Sequence, residues 1–482
     1  MNKKKLLILL GGLIIVTALI TAITLFLLRG SSSYINALPK DAQALARVDI
    51  KAVLDKARLT DEETAQLFQR YSLPEEKRTD IGFDLSQPAY AFAAMDGNFG
   101  FLAAVADDDA LTAWCKSLAA NGHASEVTRQ RGLSWVVVEQ QWLMAFDDDK
   151  ALAMGPAVGA AQDQLRTVIA QLLKQDKDES AQDTELYKLL GTKDEPLVAA
   201  VKPELMPDDV LGALSSIKLK SSSQGLYRLT MDADDNELEV DIDIVSDNED
   251  VQAQLKKLNA IMRPLSGELT KNAHADNAIW LAVNTKGEEL LKFLRAQPKV
   301  RTALFTINLI VDADRIIQAI DGDVAVEFIS SKASPSDIRF DFDFKNARLT
   351  AQVANTDFLS GASSWGNAFM DVQALSATEY VVKYSLSPIY LGVLDKTFYL
   401  GSSRGLTTEG NAYLRQQLDD IRGARFFATL NLASIPLEPL SVWTKRYPDL
   451  NRLDVKMDEA GEFTFTLNAS DTTNILRTLL GL

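Results

Sequence analysis

The sequence predicts an α+β fold, in which an N-terminal transmembrane helix precedes a duplicated unit of antiparallel β-sheets with helices packed on one face. Three observations lead to this prediction. Residues 6–28 carry no charged side chain. Short alternating stretches end in clusters of Asp, Asn, Ser and Thr before apolar residues at helical spacing, a pattern typical of a strand followed by a capped helix. Such stretches occur in the same order twice along the 482 residues.

The apolar run is long enough to cross a bilayer. Its 23 residues, 6–28, would form a helix of about 34 Å, against a hydrocarbon core of about 30 Å. Lys3, Lys4 and Lys5 precede the run and Arg29 alone follows it, which favours a cytoplasmic N-terminus. We therefore expect a single-pass inner-membrane anchor that contacts the lipid bilayer through residues 6–28 and carries a periplasmic body. The small residues that follow the run leave cleavage as a signal peptide open.

Charge and cysteine content limit the classes of partner. The net charge is −16, and the chain without Lys3, Lys4, Lys5 and Arg29 carries −20. A body of this charge repels nucleic-acid phosphates, so we expect no nucleic-acid partner. Cys115 is the one cysteine, which excludes an intrachain disulfide and cysteine-based zinc sites. We expect it to be buried on a helix.

The order of the stretches sets the predicted domain boundaries. We assign residues 1–33 to the anchor, 34–262 to the first α+β repeat, 263–277 to a linker and 278–482 to the second repeat. The linker contains Pro264 and Gly267 among mainly polar residues.

Each repeat begins with a strand that leads into a helix, in residues 44–57 and 278–294. Asp49 and Asn284 stand at the two transitions, where a short polar side chain can accept hydrogen bonds from free N–H groups. We expect both residues to cap helices.

Residues 401–405 read GSSRG, a literal G-x-S-x-G that can mark the nucleophile of a serine hydrolase. The corresponding stretch of the first half is Gly155-Pro156-Ala157-Val158-Gly159, with Ala157 in the place of Ser403. The hydrolase pattern also needs a histidine later in the chain, and none follows His274. We interpret the shared glycines as turn residues and give Ser403 no catalytic role.

Acidic runs are a second set of candidate site residues, because carboxylates can bind a metal cation. Asp107–Asp109 are expected at a helix start, where carboxylates favour the dipole, and Asp147–Asp149 in a hairpin turn. Asp232, Asp234 and Asn236 match the first positions of a calcium loop. The next residue is glutamate where that loop needs glycine, and the flanking residues read as strands, so a hairpin turn is favoured.

The remaining candidate side chains have simpler interpretations. His123 and His274 stand in polar stretches and are expected in solvent. The tryptophans could line a ligand cleft, but their apolar or alternating surroundings favour packing. They are Trp114, Trp135, Trp142, Trp280, Trp365 and Trp443. The sequence thus assigns no catalytic, cofactor-binding or metal-ligating residue.

Residues 35–59, INALPKDAQALARVDIKAVLDKARL, and 80–92, DIGFDLSQPAYAF, carry a family resemblance. They resemble the start of family 4836, a domain of unknown function in uncharacterised envelope proteins, chiefly of Bacteroidota. The resemblance implies an envelope location and no established activity. This chain lacks the lipobox cysteine of lipoprotein members, which favours a protein anchor over a lipid anchor.

These observations predict a membrane-anchored extracytoplasmic protein of unknown activity, a binding or structural component of the bacterial envelope. Its expected partner is an envelope protein or a glycan, and no cofactor is expected. Two alternatives stay open. One is a tethered hydrolase that uses paired carboxylates, because such pairs leave no short motif. The other is a calcium-dependent adhesion module.

Overall fold

The computed structural model describes most of the chain in two compact units. The first unit contains the residues up to Val251 together with those from Ala469 onward, and the second is Gln252–Asn468. The described residues are 32–60, 62–64, 81–95, 97–191, 195–205, 219, 221–296, 298–308, 311–329, 347–365, 370–384, 387–407, 410–434 and 446–481. The predicted transmembrane residues 6–28 and Trp443 lie outside them.

The first unit contains ten strands among its described residues. They are β1 (Ala44–Val48), β2 (Ala89–Ala93), β3 (Phe99–Ala104), β4 (Thr128–Gln130), β5 (Leu133–Val138), β6 (Trp142–Phe146), β7 (Lys150–Gly155), β8 (Leu197–Val201), β9 (Leu226–Asp234) and β10 (Glu237–Val245). They pair in the order β4-β5-β6-β7-β3-β2-β1-β8-β9-β10, and every pair is antiparallel.

The second unit repeats this strand order. Its strands are β11 (Met262–Arg263), β12 (Asn277–Lys286), β13 (Ile320–Ile329), β14 (Ala347–Val353), β15 (Met370–Ala374), β16 (Glu379–Tyr384), β17 (Ser387–Leu394), β18 (Thr397–Gly401), β19 (Phe426–Asn431), β20 (Leu450–Met457) and β21 (Phe463–Ala469). They pair antiparallel in the order β15-β16-β17-β18-β14-β13-β12-β19-β20. Strand β12 thus takes the place of β1, and β18 that of β7.

Helices connect some of the strands, and tight turns connect others. The α-helices are α1 (Ile50–Lys56), α2 (Asp108–Ala120), α3 (Gly159–Leu172), α4 (Glu185–Leu190), α5 (Glu249–Ile261), α6 (Gly287–Ala296), α7 (Pro298–Asn308), α8 (Ala313–Gln318), α9 (Ala412–Gln416), α10 (Leu418–Ile421) and α11 (Ile475–Leu480). Short 3-10 helices span Ser32–Ala37, Lys177–Glu179, Ala181–Asp183, Pro203–Leu205, Glu268–Asn272, Asp357–Leu359, Ala362–Ser364 and Leu432–Ser434.

The predicted fold class was wrong. The described chain consists mainly of large antiparallel sheets, and helices do not pack on one face alone. In the second unit, Val324 and Ala325 are neighbours on β13, so their side chains point to opposite faces. Val324 packs into a core with Phe358, whereas Ala325 packs into another core with Leu414 of α9. No helix among the described residues is long and apolar enough to cross a membrane.

Residues 263–277 contribute to one of these cores through the buried side chains of Leu265, Leu269 and Ala273. They pack with Trp280 of β12 and Phe427 of β19. The predicted boundaries at 262 and 278 differ from the division of the chain at Val251 and from the return of residues after Ala469 to the first unit. The repeat boundaries stay a prediction.

Local side-chain chemistry confirms several turns and caps. Asp49 accepts a hydrogen bond from the Ala52 N–H at 2.9 Å at the start of α1. Asp107 caps α2 in the same way through Ala110. Asp147 Oδ1 accepts from Asp149 N and Lys150 N in the β6–β7 turn.

Asn284 was wrongly predicted as a helix cap. It lies inside β12, opposite Asp323 on β13, and its Nδ2 donates to Asp323 Oδ1 at 2.9 Å. Strand pairing carries β12 on to Lys286, so α6 begins three residues after Asn284.

Candidate functional site

Next to Ser403, the loop 401–405 holds an ion pair between a half-exposed arginine and a buried carboxylate. Ser403 is exposed, and its neighbour Arg404 donates to both oxygens of Glu379 on β16, at 3.1 Å from Nε and 2.7 Å from Nη2. The hydroxyl of Tyr399 donates to the same carboxylate at 2.8 Å. Hydrogen bonds from Arg404, then from Tyr399, lower the pKa of Glu379 to about 2. This arrangement, the Arg404–Glu379 clasp, fastens the loop to the sheet.

The two glycine-containing stretches use their glycines differently. Gly405 has a φ of +81°, in the left-handed region that favours glycine. Gly155 does not have a positive φ, but a Cβ there would lie 2.6 Å from the carbonyl oxygen of Gln141. Gly405 thus permits a turn, and Gly155 permits two chain segments to approach closely. Among the described residues, the Ser403 hydroxyl makes no hydrogen bond to a side chain that could act as its base.

The cysteine and the two histidines each have different surroundings. Cys115 is fully buried in α2, as predicted, and burial raises the pKa of its thiol to about 12. His123 is about half exposed, and its Nδ1 lies 2.7 Å from Glu139 Oε1. His274 is half-buried, and its Nδ1 accepts from the Asp276 N–H at 3.1 Å.

The acidic β9–β10 turn is occupied by ion pairs within the first unit. Asp232 lies 2.6 Å from Lys56 Nζ, and Asp235 lies 2.6 Å from Arg58 Nη2. The flanking residues are strands, as predicted, rather than the helices of a calcium loop. Within the described ranges, no group of three or more His, Cys, Asp and Glu side chains is placed to hold a metal ion.

A polar groove in the first unit is the strongest candidate for a binding site. It lies between the β4–β5 hairpin and α3, with a volume of about 790 Å³. We call it the α3 groove. Its lining is Gln130, Arg131, Leu133, Trp135, Arg166, Thr167, Ala170, Gln171, Lys174, Gln175 and Glu179.

Two structural elements position the groove side chains. Strands β4 and β5 are joined by Arg131 and Gly132, whose φ angles of 55° and 85° suit a two-residue hairpin turn. This turn brings the Arg131 side chain to the rim. On α3 and just beyond it, Thr167, Gln171 and Lys174 recur at the spacing of four and three residues that lines one helix face.

The floor of the groove is apolar and packed. Leu133 and Trp135 on β5 are each only 5% exposed and belong to the main core of the first unit. The guanidinium carbon of Arg166 lies 5.1 Å from the centre of the Trp135 ring. A cation over an aromatic face is attracted by the ring quadrupole but keeps its charge. Arg166 is therefore held in place without being neutralised.

The groove carries an excess of positive charge. Arg131, Arg166 and Lys174 contribute three cations, and Glu179 contributes one carboxylate. Among the described residues, none of the three cations makes an ion pair or a side-chain hydrogen bond. Such a site can attract an anionic group even though the chain as a whole is acidic, because salt screens the distant charges over about 8–10 Å.

A second polar cluster lies in the second unit but is closed to solvent. Glu327 and Arg348 face each other across β13 and β14, and neither is more than 5% exposed. Glu327 Oε2 accepts from the His274 N–H at 2.8 Å, and Arg348 donates to the carbonyl of Gly405. Burial raises the pKa of Glu327 and lowers the pKa of Arg348. This burial suits a structural role better than ligand binding.

Sequence reasoning missed the α3 groove. Trp135 was interpreted as a packing residue, which its burial confirms, but the arginine above its ring went unnoticed. The two residues are 31 positions apart, so no local spacing links them. The available signal was the polar face of α3 at positions 167, 171 and 174.

Comparisons with known proteins give one family and distant structural neighbours. The family model described as Domain of unknown function (DUF4836) matches residues 34–427. No curated protein matches the chain. Crystal form I of TP0453 is similar with a TM-score of 0.31 at 10% identity, covering 49% of this chain and 89% of that chain. Crystal form III gives a TM-score of 0.30 at 11% identity, covering 48% and 89%.

Proposed function

The chain belongs to the DUF4836 family of domains of unknown function, and from this premise we propose that it is an extracytoplasmic binding component of the bacterial cell envelope. It binds its partner in the α3 groove. The observation that carries this proposal is the groove itself, a concave site of about 790 Å³ whose cations are not engaged elsewhere among the described residues. Ligand sites in proteins are typically clefts of about 300–1,000 Å³ with a few polar groups.

The proposed location rests on the sequence. The uncharged run 6–28, with lysines before it, is typical of a segment that directs a chain out of the cytosol. A single cysteine suits an oxidising compartment, because a chain with one thiol cannot form a wrong internal disulfide. Contact of residues 6–28 with the bilayer and an envelope protein or glycan as partner remain part of the proposal.

Binding is favoured over hydrolysis by the chemistry of the groove. A carboxylate-based hydrolase needs two acids flanking the scissile bond, and the groove lining contains one, Glu179. Cations and carboxamides at the same rim can hold a ligand but offer no general base.

The proposal is tested in intact cells with a photocrosslinking amino acid in place of Gln171, in the groove, or in place of Lys256, an exposed residue of α5 outside it. A reporter fused to Leu482 gives the location. We expect a reporter signal outside the cytosol and a discrete adduct from position 171 alone. A cytosolic reporter contradicts the location, and equal adducts or none from the two positions contradict the binding site.

A further inference from the structure

We propose that the ligand of the α3 groove is an acidic oligosaccharide, a short run of sugar units that carry carboxylate groups. This inference rests on the proposed function, since it names the ligand class of the same site. It is carried by three features of the lining: cations that make no ion pair among the described residues, carboxamides that make no hydrogen bond among them, and an aromatic ring that supports one guanidinium.

The cations select for carboxylate. Arg131 on the hairpin turn and Arg166 on α3 offer planar donor forks, which match the two oxygens of a carboxylate. Lys174 adds a third positive charge just beyond the end of α3. With three cations in one groove, a ligand with two or three carboxylates along its length gains more than a singly charged one.

The uncharged lining residues match hydroxyl groups. Gln130 and Gln171 are exposed, and among the described residues their carboxamides make no hydrogen bond. A carboxamide both donates and accepts, as a sugar hydroxyl does. Glu179 can accept from a hydroxyl as well. The lining therefore suits a ligand that is rich in hydroxyls between its acidic groups.

Arg166 gains its position from Trp135. Trp135 is 5% exposed, and the guanidinium carbon of Arg166 lies 5.1 Å from the centre of its ring, so the ring supports the guanidinium from the side of the core. Holding the side chain before the ligand arrives lowers the entropy lost on binding.

A short glycan fits better than an extended peptide or a long polyanion. The β4 edge is three residues long, which offers little backbone for an added peptide strand. The acidic body repels a long polyanion wherever it leaves the groove. An acidic peptide is accordingly an outcome of the test rather than the expected ligand.

The test is isothermal titration of the full chain with tri-galacturonate, maltotriose and tri-glutamate at low and at physiological salt. We expect binding of tri-galacturonate only, weaker at higher salt. The groove variant R131Q/R166Q/K174Q should lose about tenfold or more in affinity, a change that a loss of about 1.4 kcal/mol produces. The control variant K116Q/K256Q/K257Q changes the net charge equally at exposed positions outside the groove and should stay within about twofold.

Each outcome decides something. Binding of tri-glutamate without tri-galacturonate overturns the glycan assignment and leaves the groove as a binding site. Equal losses in the two triple variants overturn the groove as the place of binding. Failure of all three ligands, with an adduct still formed from position 171 in cells, overturns the ligand class alone. Circular dichroism of both variants must match the parent chain, and R166K keeps the charge if the glutamine variant fails to fold.

Discussion

The two units place a strand residue beneath an arginine in different chemical ways. In the second unit, Glu379 on β16 accepts two hydrogen bonds from Arg404. In the first unit the corresponding strand is β5, and there the Trp135 ring lies beneath Arg166. A carboxylate neutralises the arginine, whereas an aromatic face supports it and leaves the charge in place. One strand order thus holds a structural clasp in one unit and a charged groove in the other.

The difference separates cations that stabilise from cations that can bind. Arg404 donates two hydrogen bonds to Glu379, and this contact fixes the loop that contains Ser403. Arg131, Arg166 and Lys174 have no such partner among the described residues, so their contribution to folding is small and their charge is available to a ligand.

The largest effect on stability is expected from Trp135→Ala. The side chain is 5% exposed and packs in the main core of the first unit, so its removal leaves a cavity. We expect a loss of about 3–5 kcal/mol in the free energy of unfolding, measured by urea denaturation. Trp135→Phe, which keeps an aromatic face, should lose clearly less. Equal losses in the two variants would show that the ring face contributes nothing specific.

A smaller loss is expected from breaking the clasp. Glu379→Ala leaves the buried Tyr399 hydroxyl and the Arg404 guanidinium without their acceptor. We expect a loss of about 1–3 kcal/mol in the free energy of unfolding, because an abandoned buried donor costs more than a hydrogen bond contributes. Half of Arg404 is exposed to water, which keeps the loss at the lower end. An unchanged unfolding midpoint would mean that the clasp does not stabilise the loop.

The clasp also predicts an acid-sensitive part of stability. The pKa of Glu379 falls from an ordinary 4.5 to about 2 in the folded chain, first because of Arg404. A depressed pKa means that the folded state holds the charged form better, so this contribution is complete above pH 4.5 and disappears as the pH falls towards 2. Glu379→Gln should flatten the pH dependence of unfolding in this window and leave it unchanged near neutrality. A parallel curve for the variant would count against the ion pair.

The smallest effect on stability is expected from the groove itself. Arg166→Gln removes one cation–π contact at a partly exposed site, worth about 0.5–1 kcal/mol. Thermal unfolding should shift by only a few degrees, while binding of the acidic ligand weakens. A loss as large as that of Trp135→Ala would make Arg166 a structural residue and undermine its proposed role.

Local rules predicted the turns and caps but not the sites. Asp49, Asp107 and Asp147 act on N–H groups two or three residues away, so their roles follow from short stretches of sequence. Asn284 has the same chemistry, but the pairing of β12 with β13 continues through Lys286 and extends the strand past that residue. Residues far along the chain therefore decide that β12 continues past Asn284.

The candidate site was beyond local rules for the same reason. Trp135 and Arg166 meet only because β5 and α3 pack together, and Glu379 meets Arg404 only because β16, β17 and β18 are neighbours. The sequence could show that no histidine follows Ser403, but not that its neighbour Arg404 binds Glu379. Helices on both faces of the second unit were also missed, since alternation along β13 gives no sign of two apolar cores.

The most direct measurement is the rate at which phenylglyoxal modifies each arginine of the full chain, read by mass spectrometry of its peptides. Hydrogen bonding to Glu379 raises the pKa of Arg404, which slows a reaction that needs the neutral guanidine. We expect Arg166 and Arg131 to react faster than Arg404, and tri-galacturonate to slow the first two only. Equal rates at Arg166 and Arg404, or ligand protection of neither groove arginine, would contradict the distinction between a neutralised clasp and a charged groove.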